Sequence, residues 1–125
     1  MGKSIRYVLR GQKGRVRQNF NWPEIRSNRA VVYITAGEVI SNPAEQGPHF
    51  QGTGPWQDFM YNPGDADIWV SNISPHAGDH FSGEPGGVEF ILHVIWDSPL
   101  DVGITIVVED DEPLNIMGLD GQWTK

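Results

Sequence analysis

His76 and His80 stand four residues apart in Ser74-Pro75-His76-Ala77-Gly78-Asp79-His80, with Asp79 beside the second. Two imidazoles and a carboxylate so close together suit a transition-metal site, an acid/base pair or the polar rim of a binding loop. A helix would put residues four apart on one face, but Pro75 and Gly78 argue for a loop, where that spacing fixes no geometry. An open metal site needs about three protein ligands. The third would come from His49 or His93, giving a set of His76, His80, His49 and His93 for zinc, iron or manganese, with Asp79 or Glu84 as acid/base. The His-x-His start of a cupin-type metal site is absent. Asp65 with Asp67, Asp97 with Asp101, and Glu109-Asp110-Asp111-Glu112 offer the hard oxygens that calcium prefers, yet none fits an EF-hand loop. The plainer account of these carboxylates is a solvated acidic face.

A second cluster of chemistry lies in residues 41–64, where His49, Phe50, Trp56, Gln57 and Asp58 sit among glycines and prolines. Together with 74–87 this makes two long loops, and loops of more than about 12 to 15 residues in a compact domain usually bind something. Flat aromatic faces beside amides, carboxylates and imidazoles suit a carbohydrate, whose rings have apolar faces and hydroxyl rims. The expected binding residues are Trp56, Gln57, Asp58, His76, Asp79 and His80. Nucleophilic catalysis has little support: no cysteine, no Gly-x-Ser-x-Gly elbow and no phosphate-binding loop are present.

Charge is divided along the chain. Residues 1–29 hold eight of the nine Lys and Arg side chains and one acid, while 30–124 hold the other fifteen acids and no Lys or Arg, for a net charge of -7. Ser4-Ile5-Arg6-Tyr7-Val8-Leu9-Arg10, Gly11-Gln12-Lys13-Gly14 and Arg15-Val16-Arg17 read as a hairpin. That pairing would oppose Arg10 to Arg15 and gather Arg6, Arg10, Arg15 and Arg17 on one face, which something anionic must cover. Acids of the same domain, or the acidic body of a second copy in a head-to-tail homo-oligomer, would serve. Nucleic acid is the least favoured, since the acidic body would be repelled and no nucleic-acid-binding signature occurs.

The elements that must position these groups are strands. β-Branched or alternating runs occur at 30–40, 57–61, 65–73, 87–97 and 102–109, besides the two N-terminal ones, and no segment sustains a helical period. In 88–97, Glu89, Ile91, His93, Ile95 and Asp97 alternate with Val88, Phe90, Leu92, Val94 and Trp96. About seven strands in 125 residues predict one all-β domain, an antiparallel β-sandwich or jelly roll. No apolar run is long enough for a secretory signal or a membrane span, so the expectation is a soluble chain, cytoplasmic by default.

Trp96-Asp97-Ser98-Pro99 resembles the Trp-Asp-Cys-Pro segment of the aegerolysins over four residues, one of which differs. The resemblance implies a β-sandwich that binds membrane lipid. The expected function is thus a non-catalytic, lectin-like binding domain, with a small metal-dependent enzyme, a self-assembling subunit or a lipid-binding protein as alternatives.

Overall fold

The computed structural model describes residues 2–41, 59–78 and 85–110. They form seven strands and no helix: β1 (Lys3–Gln12), β2 (Gly14–Asn21), β3 (Val31–Ser41), β4 (Phe59–Tyr61), β5 (Asp67–His76), β6 (Gly87–Ile95) and β7 (Leu100–Asp110). Two antiparallel sheets, ordered β1-β7-β3-β4 and β2-β6-β5, pack as a β-sandwich. Sheets of four and three strands do not by themselves make the two four-stranded sheets of a jelly roll. With no helix among the described residues, none is long and apolar enough to cross a membrane.

The core follows from alternation on the two central strands. Val88, Phe90, Leu92 and Val94 of β6 face Val102, Ile104, Ile106 and Val108 of β7, all buried. Ile5, Tyr7 and Leu9 of β1, Phe20 of β2, and Trp22 close the core from the side. Tyr7 and Phe20 stack across the sheets with centroids 4.9 Å apart.

The N-terminal segment is not a hairpin. β1 pairs with β7 and β2 with β6, so each belongs to a different sheet and Arg10 does not oppose Arg15. The chain turns a corner at Gly11 and Gly14, both at positive φ (65° and 79°), a region that glycine enters without steric cost. Those glycines read as a hairpin signal because a sheet-switching corner needs the same residues. Asp101 Oδ1 accepts from the Gly11 amide at 2.9 Å and the Asp97 carbonyl accepts from Lys13 Nζ at 3.1 Å. The β1–β2 corner is thereby fastened to the β6–β7 connection. The four arginines are all exposed but divide between the sheets: Arg6 and Arg10 belong to the four-stranded sheet, Arg15 and Arg17 to the three-stranded one.

Burial pushes the Tyr7 phenol up to about 12 from its ordinary value of 10.0. The folded pKa exceeds the unfolded one, so this contribution to stability is intact below pH 10 and is lost as pH rises from 10 toward 12. Since the ring keeps some solvent contact, the loss should amount to about 1 to 2 kcal/mol. Tyr7→Phe should remove that part of the alkaline decline, measured as the difference in unfolding free energy between variant and parent across this window. Parallel curves would contradict the burial of the phenol. At the other end of the scale, the hydrogen bond from Lys3 Nζ to Glu24 (2.6 Å), and then the lysine charge, hold the Glu24 carboxyl below its ordinary value.

Candidate functional site on the three-stranded sheet

Because inward positions of β6 are taken by the core, its other positions form the centre of an outer face with β2 and β5. Cross-strand registers set four rows on that face: Arg15, His93 and Trp69; Arg17, Ile91 and Ser71; Asn19, Glu89 and Ser74; Asn21, Gly87 and His76. Their side chains stand on one side because each strand contributes every second residue.

In the first row the Trp69 and His93 rings stack at 4.5 Å with planes 5° apart. That separation is close to the ~4.8 Å between strands, so the rings stand side by side on neighbouring strands. Trp69 is 44% exposed. His93 Nε2 also shares a 2.7 Å hydrogen bond with Ser71 Oγ, which holds the imidazole upright against the indole. The Ser71–His93 distance is that of a nucleophile and its base, yet among the described residues no carboxylate contacts His93 to orient it.

In the second and third rows Arg17 donates to Glu89 Oε1 at 2.9 Å across Ile91, which is only 4% exposed despite facing outward. As an exposed ion pair this adds about 0 to 1 kcal/mol and serves chiefly to place both charged groups. β5 carries one extra residue between Ser71 and Ser74, a β-bulge in which Asn72 takes φ 55°, a left-handed conformation that asparagine tolerates. The bulge opens a recess of about 160 Å³ lined by Arg17, Asn72, Ser74, Glu89, Phe90 and Ile91.

The last row forms a larger basin of about 400 Å³, lined by Asn19, Asn21, His76, Ala77, Pro85 and Glu89. Its hydrogen bonds run in one direction: His76 Nε2 donates to Asn19 Oδ1 at 2.8 Å, and Asn19 Nδ2 donates to Asn21 Oδ1 at 2.8 Å. The Asn21 amide nitrogen stands at the end of that chain with donors to offer. Gly87 is the floor. A Cβ there would meet the Phe20 carbonyl oxygen and would lie 3.1 Å from the His76 ring, so only glycine lets β2 and the imidazole close over this spot. The two hollows share Glu89 and so adjoin.

Of the residues expected to bind, His76 lies in this site, whereas Trp56, Gln57, Asp58, Asp79 and His80 fall outside the described residues. The expected second loop also begins later: β5 runs through Ser74 and Pro75 to His76, because an edge strand next to a bulge tolerates proline. Two members of the expected metal set stand apart. His76 and His93 stand opposite Gly87 and Trp69, six residues apart along β6 or about 20 Å, and cannot share an ion. His49 and His80 lie outside the described residues, among which no group of three or more His, Asp or Glu side chains is placed to hold an ion.

The arginines do not form one anion patch. Arg17 pairs with Glu89 and Arg15 flanks His93 on this face. On the opposite face Arg6 donates to Thr105 Oγ1 at 2.8 Å and lies over the Tyr61 ring at 5.5 Å. Arg10 is exposed farther along the same strand as Arg6. Sequence reasoning missed Trp69, Ser71, Asn72, Asn19 and Glu89 as partners. Trp69, Ser71, Asn19 and Glu89 lie at alternating positions of their strands, a legible fact, whereas Asn72 sits in a bulge that alternation does not reveal; which strands neighbour one another was not legible either. No family model, no curated protein and no solved structure matches this chain.

Proposed function

We propose that this chain is a carbohydrate-binding β-sandwich that acts by binding and not by catalysis, with the outer face of its three-stranded sheet as the ligand surface. The observation that carries the reading is the upright Trp69 ring, braced by His93, on the same face as the aligned His76, Asn19 and Asn21 side chains. The half-exposed indole suits the C–H face of a sugar ring, while amide, imidazole, carboxylate and guanidinium groups suit its hydroxyls. Both hollows are polar-rimmed, the smaller one over a buried Ile91, and among the described residues that line them no imidazole is paired with both a nucleophile and an orienting carboxylate. Trp56, Gln57, Asp58, Asp79 and His80, outside the described residues, belong to the same proposal as further binding residues.

The test is a glycan array probed with the labelled full chain, followed by tryptophan fluorescence titration of any glycan retained. Saturable binding with a change in tryptophan emission is the expected result. An array on which no glycan is retained would overturn the proposal.

A further inference from the structure

The three features of the outer face are in file along one strand. At His93 stands the Trp69 ring, at Ile91 and Glu89 lies the smaller recess, and at Gly87 lies the basin closed by Asn19. From His93 to Gly87 the track covers six residues of β6, about 20 Å at ~3.3 Å per residue. One sugar ring resting on Trp69 would leave the basin empty, and one seated in the basin would leave the indole bare.

We infer that this face takes an extended, β-linked oligosaccharide lying along β6, and not a single sugar or a chain end. The inference rests on the carbohydrate-binding reading given above. A straight track on a sheet matches chains whose equatorial linkages keep successive rings in a ribbon; a chain that coils would leave the track after its first ring. The chemistry of the stations fits such a ribbon. The indole offers a flat face to one ring, Glu89 offers carboxylate oxygens midway, and Asn19 and its neighbours offer amide groups at the far end. Each contact alone is weak. Joined in one ligand, the second and third become intramolecular and add to affinity without new residues.

The experiment is calorimetric titration of the full chain with glucose, N-acetylglucosamine, the cello- and chito-oligosaccharides up to the hexamers, and maltohexaose. The expected result is no measurable monosaccharide binding, affinity rising more than about tenfold from dimer to hexamer in at least one β-linked series, and weaker binding of maltohexaose. Asn19→Ala, at an exposed position, should flatten the length dependence while the dimer still binds. Equal affinity for monosaccharide and hexamer, or for maltohexaose and the β-linked hexamers, would overturn the inference and leave the carbohydrate-binding reading standing. So would silence from both β-linked series when the array retains some other glycan. An array that retains nothing would overturn both.

Discussion

Trp69→Ala is expected to lower affinity for the best array glycan about 30-fold, equivalent to about 2 kcal/mol, while the sandwich stays folded. The large effect follows from position. The indole packs one face against His93 and keeps 44% of its residue's surface exposed, so truncation would remove the broad apolar contact proposed for the track and free the imidazole as well. The fold should lose only about 1 to 2 kcal/mol, because Trp69 packs on the outer surface and fills no part of the core. Trp69→Phe should recover much of the affinity, since a smaller ring keeps a flat face beside His93. Titration of the three proteins, with a thermal melt of each, separates binding from folding. Unchanged affinity in the alanine variant would remove the indole from the site.

Gly86→Ala should destabilise the protein by about 3 kcal/mol or more, the largest effect on folding anticipated for a single methyl group. A Cβ at Gly86 would overlap the backbone carbonyl oxygen of Ile25 and approach the His76 carbonyl oxygen to 3.3 Å. Neither is the movable end of a long side chain. The Ile25 carbonyl belongs to a segment fixed on two sides: the Trp22 amide donates to the Gly86 carbonyl at 2.8 Å, and the Ile25 side chain is fully buried in the core. Relief would require withdrawing the segment after β2 from the start of β6, exposing Ile25 and opening the basin at its closed end. Denaturant unfolding measures the loss directly, and a midpoint within error of the parent would show that the close approach of these two segments is not required.

The basin owes its shape to the same pair of glycines. In the sequence, Gly86-Gly87 reads as the end of a loop before the strongest strand; in the fold they are where β2, β5 and β6 come closest. Local signals identified the strands, since alternation and β-branching depend on neighbours one and two residues away. They also placed Glu89 and His93 on the face opposite Val88, Phe90, Leu92 and Val94. What they could not supply was partnership across distance. β1 pairs with a strand about a hundred residues later and β2 with one about seventy later, and nothing in Gly11-Gln12-Lys13-Gly14 distinguishes a corner between sheets from a hairpin within one. Once β2 lies beside β6, Arg17 meets Glu89 and Asn19 meets His76, and residues read as a basic strand become part of a polar track. The histidines show the same limit. Attention to His76 as a neighbour of His80 passed over its contact with Asn19, while His93 stands with Trp69 and Ser71, far from His76.

The central claim is that carbohydrate lies on the outer face of the three-stranded sheet. Amide chemical-shift mapping of the isotope-labelled full chain, titrated with the longest oligosaccharide that binds it, tests this most directly. The predicted result is a continuous band of shifted amides at Arg17 and Asn19 of β2, at Ser71 and His76 of β5, and at Glu89 and His93 of β6, with the tryptophan side-chain signal of Trp69 among the largest changes. Shifts confined to the opposite face, around Arg6, Tyr61 and Thr105, would contradict it.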